Sequence, residues 1–340
     1  MTALVNVIVT LGMLCVVPAG LRLIDPLGFR RTARLWPLPA ALGALCLWLP
    51  RGAPATALAA VYAAACLTLA ARAPGVLLRR RRPAGAAPGG ASAARTGRTG
   101  FRTGSAAGGA DTPGPARLAV ATALVSPSVA GTALVAERAG RRLFGFDLDV
   151  LALTVPHFHF AGFAAALVAG LVCRSAAPGP VPRWAAYSVP AGTLLVLLGY
   201  FVDDWAELAG AVVLTGGMWA VALTTWREIR PRARRDRTTR TLLATSAVIL
   251  VATMLGALWW ALGEATGIVH PTLTWMAATH GLGNALGFAL CSVLAWGRLT
   301  RGPGGPGTAD LPDRRTAEPL HCPTAAPPSS RTADRQETTP

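Results

Sequence analysis

Residues 150–173 read VLALTVPHFHFAGFAAALVAGLVC. This stretch contains no Asp, Glu, Lys or Arg, and as a helix it is long enough to cross a hydrocarbon core of about 30 Å. It therefore predicts a transmembrane helix. His157 and His159 lie inside it, directly after Pro156. Because imidazoles are costly in hydrocarbon, two of them within a span mark a candidate functional site.

The composition of the whole chain agrees with a membrane protein. Of 340 residues, 52% are hydrophobic and 14% charged, and the mean hydropathy is +0.45, which is too apolar for a soluble domain. The net charge of +16 comes from arginine, since the chain has no lysine. These arginines lie between apolar stretches, where membrane topology accounts for them. We therefore expect a lipid bilayer as partner and no nucleic acid.

Apolar stretches recur along the chain and predict an all-α, polytopic transmembrane helix bundle of about nine spans. The first stretch lacks a basic leading region and a small-residue cleavage site, so we expect it to be retained as a span. Five of the six cysteines lie in these stretches, and no CxxC pair occurs, so we expect no disulfide or zinc site. The nine stretches are residues 3–23, 36–49, 55–71, 118–136, 150–173, 184–202, 207–225, 241–262 and 274–296.

The arginines also predict the orientation of the bundle. They concentrate after the odd-numbered spans, whereas most of the other loops are acidic or nearly uncharged. Positively charged loops stay in the cytoplasm, so the N-terminus is expected outside and the C-terminus inside. The loop at residues 137–142, with three arginines, departs from this pattern.

Composition divides the chain into four predicted segments. Residues 1–78 form an N-terminal three-span segment, and 117–298 form a six-span bundle that holds the candidate site. Residues 79–116, rich in Arg, Gly and Ala, predict a cytoplasmic linker. Residues 299–340, rich in Pro, Thr and Arg, predict a disordered cytoplasmic tail.

The predicted topology places several polar groups in the outer half of the last spans. They are His157 and His159 on the fifth span, Glu264 after the eighth, and His280 with Asn284 on the ninth. Together they predict one outward-facing, histidine-lined cavity that binds a substrate. Residues two apart on a helix point about 200° apart, so the first two histidines face different neighbours unless Pro156 unwinds the helix.

Small residues suggest how the fifth and ninth spans meet. Gly162 and Gly170 form a ridge on the fifth span, and Gly283 and Gly287 form a small-xxx-small pair on the ninth. We expect these two spans to pack together and to bring His157 or His159 near His280. The alternative is that the imidazoles only form hydrogen bonds between helices.

The stretch LTVPHFHFAGF at residues 153–163, with His280, Gly283-Asn284 and Gly287-Phe288 in a late span, resembles the YndJ-like family of bacterial membrane proteins. The likeness covers mainly residues 118–296. It implies a multi-pass protein of the bacterial plasma membrane in which His157, His159, His280 and Asn284 matter. It implies no mechanism or substrate.

The same string also resembles the helix of haem–copper oxidase core subunits on which neighbouring histidines ligate two haems. The first four predicted spans contain no histidine, and no His-His pair is available for copper, so a respiratory oxidase is excluded. A single b-type haem or a transition metal held by His157, His159 and His280 stays as an alternative.

We therefore expect a transporter-like binder of a small solute or ion rather than an enzyme, without a resident cofactor. His157 and His159 would handle a proton or ligand, because an imidazole titrates near physiological pH, and His280 with Asn284 would form the opposite wall. The alternatives are a haem or metal-binding redox protein and a membrane scaffold or partner subunit. The oligomeric state stays open.

Overall fold

The computed structural model describes residues 2–78 and 114–301. Within these residues every regular element is helical, and the only β feature is an isolated bridge between Leu143 and Phe146. The all-α prediction is therefore confirmed for this part of the chain. Nearly all of the predicted linker and tail lies outside the described residues.

The described residues form ten helices, four before residue 79 and six after residue 113. We number them α1 (Ala3–Ile24), α2 (Arg30–Leu35), α3 (Pro37–Cys46), α4 (Ala53–Leu78), α5 (Pro115–Arg138), α6 (Leu148–Ser175), α7 (Pro180–Gly199), α8 (Asp204–Ala233), α9 (Arg237–Thr266) and α10 (Leu273–Leu299).

Seven of these helices are long and apolar enough to cross a membrane: α1, α4, α5, α6, α8, α9 and α10. This indicates a multi-pass membrane protein, with two fewer such helices than the nine predicted spans. The two predicted spans that are missing from this set correspond to α3 and α7, and each is missing for its own physical reason. Helix α3 has only 10 residues, and α7 has 20 residues but is less apolar because its first turns contain two prolines and Arg183.

The short helix α3 continues α2 after a break at Trp36 and Pro37. Trp36 Nε1–H donates to the Met13 carbonyl oxygen at 2.9 Å. At the other end of α3, the Asn6 side-chain amide donates to the Leu47 carbonyl oxygen, also at 2.9 Å. Helix α3 therefore lies antiparallel to the first half of α1, and its ends are held by two buried side-chain hydrogen bonds.

Helices α7 and α8 form the closest helix pair, and glycine makes this possible. A Cβ on Gly192 would lie 2.5 Å from Leu214 Cα, and one on Gly199 would lie 2.5 Å from Glu207 Cα. Gly210 of α8 lies equally close to the backbone of α7. Small residues at successive turns let two helix backbones approach along their whole length. Helix α7 therefore packs closely against α8 at several successive turns.

Charged residues distinguish the two ends of the bundle. One end, which we call the acidic end, carries Glu137, Asp203 and Glu264. At the opposite end, the arginine end, Arg174 donates to the Ile24 carbonyl oxygen at 3.4 Å and Arg232 donates to that of Ser175 at 2.6 Å. Arginines there satisfy carbonyl groups that helix C-termini leave without partners.

Three helices contain π-helical segments that contact one another: Gly12–Val16 in α1, Phe158–Ala164 in α6 and Gly283–Leu290 in α10. A fourth, Ala277–Gly281, precedes the last of these in α10. Such wide turns are often found at functional sites. Helices α1, α6 and α10 therefore depart from regular geometry at the place where they meet.

Candidate functional site

A cavity of about 660 Å³ lies in the half of the bundle that is nearest the acidic end. Residues from α1, from α5 to α10 and from the loop at 143–146 line it, and most of them are apolar. The polar side chains on its walls are those of Ser128, Thr132, Thr154, His157, Tyr200, Glu207, His280 and Asn284. A concave, mainly apolar space with a few polar groups is the usual form of a small-molecule site.

His157 is the imidazole that faces this cavity. Its side chain is partly exposed there, and its ring lies edge-on to Phe158, with 5.5 Å between the centroids. Within the described residues, neither ring nitrogen of His157 has a hydrogen-bond partner. His157 can therefore accept or donate a proton, or bind a ligand, without losing an internal contact.

His159 points the other way and is fully buried. Its Nδ1–H donates to the Val155 carbonyl oxygen at 2.7 Å, so Nε2 accepts from the Tyr62 hydroxyl at 2.5 Å. The two rings stack with 6.0 Å between their centroids. The prediction that His157 and His159 face different neighbours is confirmed, and Pro156 does not bring both rings to one cavity.

The environment of Tyr62 makes the contact with His159 part of the helix core. The Trp36 ring packs edge-on against Tyr62 at 5.9 Å. A Cβ on Gly43 would lie 2.7 Å from the Tyr62 ring, and one on Gly12 would lie 3.1 Å from His159 Cβ. Tyr62 and His159 thus join α4 to α6 in a tightly packed space, which fits the structural alternative for this histidine.

His280, Asn284 and Thr253 form a closed hydrogen-bond network between α9 and α10. His280 Nδ1–H donates to the Thr253 carbonyl oxygen at 2.8 Å, and the Asn284 amide donates to His280 Nε2 at 2.9 Å. The Thr253 hydroxyl donates to Asn284 Oδ1 at 2.8 Å. His280 lines the cavity, but both of its nitrogens already have partners.

The glycine ridges pack differently from the prediction. The ridge on α6 faces α5, since a Cβ on Gly162 would lie 2.7 Å from Ser126 and one on Gly170 would lie 3.1 Å from Val120. The glycine pair on α10 faces α9, where Ile249 lies 2.6 Å from a Cβ on Gly287. The expectation that these small residues join α6 to α10 is wrong. Those two helices meet instead through their π-helical segments.

Glu264 lies at the acidic end but does not line the cavity. Its carboxylate pairs with His270 Nε2 at 3.2 Å, and Gly263 lets His270 approach. The acidic residue on the cavity wall is instead Glu207, only 8% exposed. Glu207 was not singled out from the sequence, where it is the first residue of the predicted span at 207–225. Its position one turn into an apolar helix was the signal that could have separated it from the acids of the preceding loop.

The model of the family described as YndJ-like protein matches residues 7–288. The chain belongs to the YndJ-like family. The match includes α1, the cavity and both hydrogen-bonded histidines, so it extends beyond residues 118–296, where the likeness was first seen. No curated protein and no solved structure matches this chain.

The donor atoms in this YndJ-like protein do not fit a bis-histidine haem. His159 uses both ring nitrogens in contacts with Val155 and Tyr62, and His280 uses both in its network. Among the histidines of the described residues, His157 alone has ring nitrogens without a hydrogen-bond partner. In addition, no group of three or more His, Cys, Asp or Glu that could hold a metal ion occurs among residues 2–78 and 114–301.

Proposed function

We propose that this YndJ-like protein is a transporter-like protein of the bacterial plasma membrane that binds a small, largely apolar solute. The observation that carries the proposal is the cavity of about 660 Å³ near the acidic end, with the free imidazole of His157 on its wall. The protein would bind and move its solute without changing it chemically.

The lining favours an organic molecule over a bare ion. A bare ion needs several polar groups to replace its hydration shell, and burying it without them is costly. The cavity walls carry apolar side chains such as Leu214, Met218, Leu250 and Phe288. Apolar surface of this kind gains free energy by removing an apolar molecule from water.

We further propose that nine segments cross the bilayer, with the acidic end outside and the arginine end in the cytoplasm. Helix α7 lies along α8, and α2 with α3 lies along α1, so both would be at membrane depth beside helices that span it. Retention of arginine-rich loops in the cytoplasm supports this orientation. The cavity would then face outwards.

His157 is the residue that we expect to respond to protons or ligand. An imidazole can take up a proton or bind a ligand through a ring nitrogen, and His157 can do so without breaking a hydrogen bond within the described residues. His159 and His280 would stabilise the helix packing around it. His157 thus has the proposed functional role, whereas His159 and His280 have structural roles.

Thiol accessibility tests the proposal without a known solute. Ala257 lines the cavity from α9, and Leu255 on the same helix is 52% exposed on the outer surface of the bundle. In a full-length protein whose native cysteines are replaced by serine or alanine, Ala257→Cys is exposed to a charged, membrane-impermeant methanethiosulfonate. Leu255→Cys is the matched control, because it lies in lipid rather than in the cavity.

A transporter predicts that Cys at position 257 reacts from the outer face and, in a second population, from the inner face. Reaction from the outer face alone would indicate a binding protein that does not transport. Absence of reaction from both faces would overturn the proposal and favour a scaffold. The position-255 control should stay unreactive towards the charged reagent in each case.

A further inference from the structure

Glu207 is an acidic side chain on the cavity wall without an internal partner. It lies in the first turn of α8, and Gly199 of α7 packs against its backbone. The residue is 8% exposed, and within the described part of the chain no hydrogen bond or ion pair reaches its carboxyl group. Its remaining exposure is to the cavity. A carboxyl group in such a place is usually paired.

Two neighbouring acids, Asp204 and Glu264, add negative potential around this carboxyl group. The N-terminus of a helix carries a partial positive charge that stabilises an anion in the first turn. Asp203 occupies the N-cap position, where Oδ1 accepts from the Ala206 amide at 2.7 Å, so the α8 terminus is well formed. No arginine lines the cavity among the described residues. Within the described part of the chain, no permanently charged side chain of opposite sign therefore faces Glu207 across the cavity.

Aromatic rings line the same part of the cavity. Phe146 packs edge-on against Tyr200 at 6.3 Å and against Phe201 at 5.2 Å, and Trp260 lies on the wall contributed by α9. The faces of such rings attract organic cations, and rings grouped around a site are a common way to bind quaternary ammonium groups. Glu207 therefore lies in a cavity whose walls carry these four rings among others.

We infer that the solute of this cavity is a lipophilic organic cation, a substituted or quaternary ammonium with an apolar body. Its charged group pairs with Glu207 among the aromatic rings, and its apolar part contacts residues deeper in the cavity, such as Met254 and Phe288. This inference rests on the proposed function, because it requires the cavity to be open to solutes. It adds the charge of the solute and the residue that recognises it.

Two reagents of opposite charge test the inference at the same cysteine. The rates of modification of Ala257→Cys are measured with 2-(trimethylammonium)ethyl methanethiosulfonate and with 2-sulfonatoethyl methanethiosulfonate. Each rate is divided by the rate of the same reagent with 2-mercaptoethanol. We expect the normalised ratio of the cation's rate to the anion's rate to be about 10. An unpaired carboxylate near the cysteine in a low-dielectric site would give a ratio of this size.

Glu207→Gln keeps the size and shape of the side chain and removes its charge, so we expect the ratio to fall to about one. Asp149→Asn is the matched control, because it removes an exposed acid in the first turn of α6, outside the cavity lining. It should leave the ratio unchanged. A ratio that does not respond to Glu207→Gln, or that responds equally to Asp149→Asn, would overturn the inference.

Protection supplies the second measurement. Benzyltrimethylammonium and its neutral isostere neopentylbenzene are compared as protectants against modification of the cysteine. We expect the cation alone to protect, and Glu207→Gln to abolish its protection. Equal protection by the neutral compound would leave the proposed function in place and overturn the cation assignment. An unreactive cysteine at position 257 would instead overturn the proposed function itself.

Discussion

The Tyr62 hydroxyl lies 2.5 Å from Nε2 of His159, although 97 residues separate them in the chain. This contact joins α4, in the N-terminal segment of four helices, to α6, the helix that carries the candidate site. Because His159 Nδ1–H is bonded to the Val155 carbonyl oxygen, its ring is held from both sides. One of two neighbouring histidines is thereby fixed, while His157 faces the cavity without such a bond.

The first prediction concerns this contact. Tyr62→Phe removes the hydroxyl and leaves His159 Nε2 buried without a donor, so we expect the free energy of unfolding to fall by about 1–3 kcal/mol. Thermal unfolding in detergent measures the change as a lower Tm. Tyr187→Phe is the control, since Tyr187 is 42% exposed on the outer surface of α7. A Tyr62→Phe variant as stable as the control would show that the hydrogen bond contributes nothing.

The two histidines of α6 should respond differently to alanine. His159→Ala leaves a cavity in the core and the Tyr62 hydroxyl without its acceptor, so we expect a loss of about 2–4 kcal/mol. His157→Ala only enlarges a cavity that already exists, so it should change Tm by much less. The same samples are compared for the pH dependence of modification at Ala257→Cys, which only His157→Ala should alter. Equal losses of stability would contradict the division of roles.

Much of the architecture follows from the sequence, because long apolar stretches are direct signals of membrane helices. Each of the nine predicted stretches lies mostly in a helix. The divergence of His157 and His159 was also predictable from helix geometry. The partner of His159 was not, because Tyr62 lies in an alanine-rich helix with nothing in its local pattern to mark it. Packing partners between distant helices are properties of the assembled bundle.

Two other errors have the same physical origin. The ridges at Gly162 and Gly287 were correctly identified as surfaces of close helix contact, but a ridge does not specify which neighbour fills it. Glu207 begins the predicted span at 207–225, and nothing in that stretch indicates that its side chain faces the cavity. Sequence periodicity identifies a face of a helix, and only the arrangement of the helices shows what that face meets.

The network between α9 and α10 predicts strong coupling between its members. Asn284→Leu leaves His280 Nε2 without a donor, and His280→Leu leaves the Asn284 amide without an acceptor. We expect each single change to lower the free energy of unfolding by about 1–3 kcal/mol. The double variant should lose clearly less than the sum, because both members of the His280–Asn284 hydrogen bond are then removed and neither is left without the other. Additive losses in this double-mutant cycle would contradict the network.

The contact between α7 and α8 predicts that glycine is required at position 192. A Cβ there would lie 2.5 Å from the Leu214 backbone, so Gly192→Ala must push the two helices apart. We expect a loss of about 1–3 kcal/mol from overpacking. Gly216→Ala is the control, since a Cβ at Gly216 would meet nothing within 4 Å. If both variants have the Tm of the parent protein, the helix pair is not as close as described.

At the arginine end, Asp236 predicts an acid-dependent loss of stability. Hydrogen bonds from the Thr239 hydroxyl, at 2.6 Å, and the Thr239 amide lower the pKa of Asp236 from 3.8 to about 2, and Arg298 at 3.0 Å adds to the effect. Because the folded-state pKa lies below the unfolded one, the carboxylate stabilises the protein above about pH 4. That contribution is lost as the pH falls towards 2.

Comparison of Asp236→Asn with the parent protein isolates this contribution. The variant should have a lower Tm at neutral pH, and the difference between the two proteins should shrink as the pH falls from about 4 to 2. The difference should also decrease with added salt, because the side chain of Asp236 is 39% exposed and the ion pair with Arg298 is screened. Asp149→Asn, in the first turn of α6, is a control for removing an acid elsewhere. A difference in Tm that stays constant down to pH 2 would mean that the charge of Asp236 does not hold the N-terminus of α9 to the end of α10.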